Sequence, residues 1–369
     1  MGLEIARYTA SCIENVRQFN RRMALGGRGQ FQLPNDLRQF EESEGGPLPW
    51  EGWLAVHEGI VRGGYLLRWQ DFSFRGEIRK LAFYCVSVSE GAIDPAYAAT
   101  SVRMIASATS KAPLSFALGM GGVDATLPKI LQALGWQLRA LPFLFRAVNP
   151  GQVVRSLPAI RRTPLRRAAF DAAAFTGAAW AGLGAVHAFR RKVGKHAGMR
   201  HELTPQFDAW ADSIWQACGA SFAMIAVRDQ RALNVLYPGT MPRISRLKVC
   251  SGASVVGWAV VLNTEMKNDK HFGNLHVGTL VDCLASAEHA PLVAEAAESF
   301  LENQGVDLII SNQSHHLWRS ALLDRGYLEG PSNFALATSK GVTRLLDPFD
   351  QNLSQVHLTR GDGDGPIHL

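Results

Sequence analysis

The sequence predicts an α/β chain of two tandem domains, each a mixed, mostly antiparallel sheet flanked by helices, with a helical connector between them. Three observations carry that expectation. The chain has 369 residues, more than one hydrophobic core ordinarily serves, and a prior of about 150 residues per domain gives two. Apolar residues make up 47% and charged residues 19%, which is a globular composition and not a disordered one. The order of strand-like and helix-like segments in the first half recurs in the second, as a duplicated unit would show.

In the first half, WLAVHEGIVRGGYLLR (53–68) reads as two strands about a Glu58-Gly59 turn, and IRKLAFYCVSV (78–88) reads as a third. The turn SEGAIDP leads to a helix-periodic run from Ala96 to Ser110, then to the strand LSFALGM (114–120) and a helix around Ala133. QLRALPFLFRAV (137–148) closes the half as a strand or strand pair. The second half runs FAMIAVRD, SVVGWAVVLN, LHVGTLVDCLA, a helix from Pro291 to Asn303, the strand VDLIIS (306–311), a helix from His315 to Arg325, and FALATS. The clearest echo sets LQALGW against LLDRGY, so that Gly135-Trp136 and Gly326-Tyr327 each follow a helix. The expected boundaries are 1–150 for the first domain, 151–200 for the connector, 201–340 for the second domain and 341–369 for a tail.

The connector contains AAFDAAAFTGAAWAGLGAVHAF (168–189), bounded by Arg167 and Arg190. The stretch is long enough to cross a bilayer, but its alanines are nearly neutral for insertion and Asp171 and His187 oppose it. It reads as an interdomain helix, with a peripheral helix on a membrane surface as the alternative. The tail carries Asp362 and Asp364 in DGDG but lacks the later ligands of a calcium loop, so no metal is expected.

The cysteines Cys12, Cys85, Cys218, Cys250 and Cys283 are scattered, without zinc-site spacing, and read as reduced thiols. The amino terminus interrupts every apolar stretch with charge, so it lacks a signal-peptide core and the chain reads as cytoplasmic. A net charge of +6 favours an anionic partner. The arginine pairs at 161/162, 166/167 and 190/191 lack interleaved aromatics, so they do not point to sequence-specific nucleic-acid reading.

A fourth strand leading through a loop into a helix, followed by strand, helix and a Gly-aromatic step, resembles the GNAT (Gcn5-related N-acetyltransferase) superfamily, and both halves show it. The resemblance implies an acyl-CoA cofactor, acetyl-CoA in the first instance, lying where the central parallel strands part, with its diphosphate on amides at the start of the next helix. Carried over, the fourth strands are Leu81 to Val88 and Val277 to Leu284, and the phosphate loops are Ser89 to Pro95 and Ala285 to Pro291. Neither loop has the family's Arg/Gln-x-x-Gly-x-Gly/Ala signature, and Leu131 and Leu322 stand where the family often has an acidic-proton-bearing tyrosine. The implied cofactor-binding residues in the second half are Val281, Cys283, Leu284, Ala285, Ser286 and Asn312.

The second half places His276, Asp282, Asn312, Ser314, His315, His316 and Arg319 near the strand ends where this fold has its cleft, whereas the first offers Tyr84, Ser87 and Asp124. The expected catalytic set is therefore His316, His315, Asp282 and Arg319: a histidine suits proton removal from an amine or hydroxyl, and an arginine one turn on can hold an anionic group. The same residues have plain structural readings, the His-His pair as a helix cap with a surface neighbour and Asp282 as a local cap. Tandem GNAT-like halves without a phosphate signature also resemble Fem-type transferases, which use aminoacyl-tRNA, and GNAT-like proteins of exopolysaccharide biosynthesis, the group that the TRGDGDGPIHL close favours. The expected activity is acyl transfer from a thioester to an amine or hydroxyl on a small-molecule or glycan substrate. The alternatives are a tRNA-dependent transferase and a degenerate, non-catalytic pair, for which a filled cleft with no splay between Val277–Leu284 and Asp307–Ser311 would speak.

Overall fold

The structure, a computed structural model, describes residues 2–156, 196 and 198–363. The 168–189 connector, and with it any membrane contact there, lies outside the described residues. Two compact units are present: Met1–Ala140 with Asn333–Asn352, and Leu141–Ser332 with Leu353–Leu369.

The strands are β1 (Glu4–Arg7), β2 (Trp50–His57), β3 (Ile60–Phe74), β4 (Glu77–Ser89), β5 (Ser115–Leu118), β6 (Gln137–Ala140) and β7 (Phe143–Ala147). After them come β8 (Met199–Leu203), β9 (Met224–Ala226), β10 (Ile244–Ser251), β11 (Ser254–Glu265), β12 (His276–Ala285), β13 (Leu308–Asn312), β14 (Leu328–Gly330), β15 (Ala335–Thr338) and β16 (Val356–His357).

Unit 1 orders its sheet β1-β2-β3-β4-β5-β15-β6, and only β4 and β5 run parallel. The β2–β3 turn is made by Glu58 (φ 52) and Gly59 (φ 77), and the β3–β4 turn by Arg75 (φ 50) and Gly76 (φ 95); two left-handed residues in a row match the right-handed twist of the strands they join. Tyr65, Leu67, Ala82 and Tyr84 face helices Thr100–Lys111 and Thr126–Ala133, whose Met104, Ile105 and Leu131 complete a core with Trp136.

Unit 2 orders its sheet β14-β7-β13-β12-β11-β10-β8, with β12 and β13 parallel. Helix Ala290–Asn303 lays Val293, Ala294, Ala297 and Leu301 on it, and Trp318 and Tyr327 join the same core. FAMIAVRD supplies β9, which pairs with β16 and lies outside this seven-stranded order; the outer meander strands are β8 and β10, segments that the sequence reading passed over.

The Gly-aromatic echo is a repeated helix end. Gly135 has φ 86 and Gly326 has φ 88. Trp136 N–H donates to Leu131 at 3.1 Å and Tyr327 N–H to Leu322 at 3.1 Å. Both helices close with the same left-handed glycine and the same backward bond, a Schellman-type stop.

The linear boundaries at 150 and 340 are corrected by the last strand of each half. Leu141 and Pro142 separate β6 from β7, and β7 inserts between β13 and β14 of unit 2. Reciprocally, β15 inserts between β5 and β6 of unit 1. Residues 341–363 are likewise no loose tail. Helices Lys340–Leu345 and Phe349–Asn352 belong to unit 1, and the segment from Leu353 is built into unit 2, where Val356, His357, Leu358 and Thr359 are fully buried.

Candidate functional site

In each unit the parallel strands stay together briefly and then part. The β4–β5 register holds only Ala82↔Ser115 and Phe83↔Phe116, while β4 runs on to Ser89. The β12–β13 register holds from Val277↔Leu308 to Leu280↔Ser311, while β12 runs on to Ala285. A bulge sits just beyond the parting in both: the β3–β4 register slips between Gly64 and Leu66, with Val86 at φ 48, and the β11–β12 register slips at Val260/Val261. A bulge leaves backbone groups outside the ladder and re-aims them.

The two slots differ in what lies in them. In unit 1 the strand surfaces at the bulge, where Val86 is 37% exposed and Ser87 half-buried. Ser87 Oγ is 2.6 Å from the hydroxyl of Tyr84, whose ring packs on Tyr65 and Trp136. Burial, partly offset by Ser87, raises the Tyr84 pKa, so that hydroxyl stays protonated. Val102, Asp124, Thr126, Lys129, Ile130, Ala133 and Leu134 line a groove of about 370 Å³ between the two helices of this core.

Four amides in the loop after β4 are bonded within it. Gly91 N–H donates to Ser89 Oγ, Ile93 and Asp94 donate to the Glu90 carbonyl, and Ala96 donates to Asp94 Oδ1. Glu90 is buried and held by Arg22 at 2.7 Å and Arg62 at 3.0 Å. Burial opposes its charge, but the two guanidiniums prevail and hold the carboxyl below its ordinary pKa.

In unit 2 every residue of β12 after His276 is buried, and the chain's own C-terminal segment covers it. His357 Nε2 donates to the Cys283 carbonyl at 2.9 Å, Thr359 Oγ1 donates to Asp282 Oδ1 at 3.1 Å, and Ser314 N–H donates to the Leu358 carbonyl at 3.1 Å. Beneath these, Arg228 Nε lies 2.8 Å from Asp282 and its Nη2 lies 2.5 Å from Asp362, with all three side chains wholly buried. Tyr237 adds a 2.7 Å bond to Asp282. Burial disfavours the Arg228 charge, yet the two carboxylates hold its pKa above the ordinary value, and burial beside Asp282 raises the pKa values of Tyr237 and Cys283.

Each residue of the sequence-predicted set has a structural partner. Asp282 is the buried partner of Arg228. His315 caps helix His316–Asp324 by accepting from Leu317 N–H at 3.3 Å, and burial together with His357 and His316 lowers its pKa to about 3. His316 Nδ1 is 2.9 Å from the Ser354 carbonyl, and Arg319 pairs with Glu329 on the surface. Asn312 donates to the Pro142 carbonyl at 3.1 Å and accepts from Arg360 at 3.2 Å. Val281, Cys283, Leu284 and Ala285 are buried, and Ser286 Oγ pairs with His289 Nδ1 at 2.8 Å in the loop. Trp258 and Trp318 are core residues. Sequence reasoning missed Arg228, Tyr237 and the role of residues 356–362, for which spacing gives no signal because the contacts joining Arg228, Tyr237, Asp282 and Asp362 close over 45 to 134 positions. Among the described residues no group of three or more His, Cys, Asp or Glu could hold a metal ion, and no helix is long and apolar enough to cross a membrane.

No family model matches the chain, and no curated protein matches it in sequence. Solved structures do match in shape. A GCN5-related N-acetyltransferase from Anabaena variabilis superposes with a TM-score of 0.54 at 8% identity, over 91% of this chain and 72% of that one. A conserved protein of unknown function from Enterococcus faecalis, described as a probable N-acyltransferase, gives 0.53 at 9% identity, over 94% and 74%. With its mixed sheets, parting parallel strands and flanking helices, the chain therefore has the fold of the GNAT acetyltransferases, in two tandem units.

Proposed function

We propose that the chain is an acyltransferase that moves an acyl group from an acyl-CoA, acetyl-CoA in the first instance, to an amine or hydroxyl, and that it does so in unit 1. The observation that carries the reading is the contrast between the slots: β4 leaves β5 after Phe83 and surfaces at Val86, whereas the matching stretch of β12 is covered. Unit 1 fits the thioester arm, because an extended pantetheine can run along a strand whose neighbour has parted from it. The bound cofactor would supply an activated thioester carbonyl. The bulged backbone at Val86–Ser87 lies where amide dipoles could face that carbonyl, and the Tyr84–Ser87 hydroxyl pair could hand a proton to the departing thiolate, a task that Leu131 cannot perform. Four of the loop amides are already bonded and Glu90 is an anion, so the diphosphate would depend on the groove between the two helices, where Lys129 is the cation.

The acceptor is proposed as an amine or hydroxyl and no more narrowly. Of the close TRGDGDGPIHL (359–369), on which the likeness to the exopolysaccharide group rests, Thr359 and Asp362 are here buried packing residues of unit 2. Calorimetric titration with acetyl-CoA tests the reading. Binding is expected, weakened about 10-fold (about 1.4 kcal/mol) by Lys129→Glu, with Ser87→Ala lowering turnover more than affinity. Absence of binding by acyl-CoAs of any chain length would remove it.

A further inference from the structure

In unit 2 the chain's own segment Val356–Asp362, a two-residue strand followed by a turn of 3-10 helix, lies against β12 and the residues that follow β13. β16 runs parallel to β9 through Val356↔Met224 and His357↔Ile225, and Thr359 bridges Gln313 on the other side. Between these flanks the segment reads the slot residue by residue. His357 binds the Cys283 carbonyl at 2.9 Å on β12, just past the point where β12 and β13 part. Ser314 Oγ takes the Leu358 amide at 2.7 Å and gives its own proton to the Val356 carbonyl at 2.5 Å. Thr359 and Asp362 close a capping box, in which Asp362 accepts the Thr359 amide at 2.8 Å while its other oxygen meets Arg228. Gly361 lies against Tyr237 and Asp282 with no room for a Cβ.

We infer that residues Val356–Asp362 are a permanent internal ligand of unit 2, a peptide standing where the GNAT fold would take a cofactor arm, so that unit 2 binds no acyl-CoA and serves as scaffold. Permanence follows from charge. Asp362 is one of the two carboxylates that offset the wholly buried Arg228 charge, and removing a partner from a buried ionic group is the costly case. A releasable lid would be expected to rest on exposed contacts, whereas Val356, His357, Leu358, Thr359 and Asp362 are each fully buried. The corollary, one acyl-CoA per chain, rests on the reading of unit 1 above.

Hydrogen–deuterium exchange on the intact full-length chain, first with no ligand added and then with saturating acetyl-CoA, tests the inference. Peptides covering 356–362 should exchange as slowly as those covering 308–312, and saturating acetyl-CoA should not speed them. Gly361→Val should raise exchange across 276–285 by 10-fold or more while 77–89 stays as it was. Fast exchange at 356–362 in the unmodified chain, release by acetyl-CoA, or an unchanged 276–285 in Gly361→Val would each overturn it. Failure of acetyl-CoA to bind at all would count against the function of unit 1 and leave these exchange results standing.

Discussion

The imidazole of His357 donates its Nε2 proton to the carbonyl oxygen of Cys283 at 2.9 Å, tying the last strand of the chain to the edge of β12. That acceptor fixes the tautomer, since a carbonyl can only receive. It leaves Nδ1 as the neutral acceptor, buried and without a partner among the described residues. The bond joins residues 74 positions apart and marks the place where one of two similar units is closed by its own chain.

The charge cluster under that bond predicts a ranking. Arg228→Met leaves Asp282 and Asp362 buried together without a cation and should lower the unfolding free energy by about 3–5 kcal/mol. Asp362→Asn keeps the shape and one carboxylate opposite Arg228, so it should cost less, about 1–3 kcal/mol. Urea denaturation checks the order. Equal, sub-kilocalorie losses for both would show that the cluster does not hold the segment.

Acid should loosen unit 2 before carboxylate protonation dominates. Burial lowers the His315 pKa to about 3 and lowers that of His357 in the same direction, against an unfolded value near 6.5. The unfolded chain thus binds more protons below neutral pH, so stability falls as pH drops from about 6.5 toward 3; for His315 alone the loss by pH 5 is about 2 kcal/mol. His315→Asn keeps a competent helix cap and removes the titration. Its stability should be flatter between pH 7 and pH 5 than that of the unmodified protein, and identical slopes would refute the assignment.

Gly135 and Gly326 should behave as a matched pair. At φ 86 and 88 an L-residue with a Cβ is strained by about 1–2 kcal/mol. Alanine at either position should therefore lower stability by that amount, and because the two glycines end helices in separate units the losses should add. Marked non-additivity in the double variant would contradict two equivalent, independent helix stops.

The Arg22–Glu90–Arg62 triad fixes the loop that follows β4. Glu90→Ala leaves two guanidiniums facing each other around a vacated site, and should cost about 2–4 kcal/mol of stability and weaken any ligand of the neighbouring slot. Glu90→Gln keeps the volume and should recover part of both. Exchange or melting data that fail to separate the two variants would show that charge is not what Glu90 contributes.

How far the sequence could be read differs between fold and site. The hairpin about Glu58-Gly59, the helix start after β12 and the paired Gly-aromatic stops are local, set by turn chemistry and by 2.0- and 3.6-residue periods, and lie where the pattern puts them, whereas the helix after β4 begins at Thr100 and not at Ala96, behind the 3-10 turn Pro95–Tyr97. Which sheet a strand joins is not local: QLRALPFLFRAV shows two strands, but nothing within it says that β6 stays in unit 1 while β7 enters unit 2. For the site, residue chemistry favoured the second half because Asp282, His315, His316 and Arg319 crowd there. The structure gives these groups structural partners instead: Asp282 and His315 are buried against Arg228 and Leu317, while the exposed His316 and Arg319 meet Ser354 and Glu329. The glycine-rich close read as a tail because Gly361 is small where a Cβ cannot fit, a packing reason that composition does not display.

The central claim is that unit 1 takes the acyl donor and unit 2 does not. Hydrogen–deuterium exchange with and without saturating acetyl-CoA tests it most directly. The account predicts slowed exchange at 84–89 and 115–118, with no change at 276–285; slowing at 276–285, or at neither stretch, would contradict it.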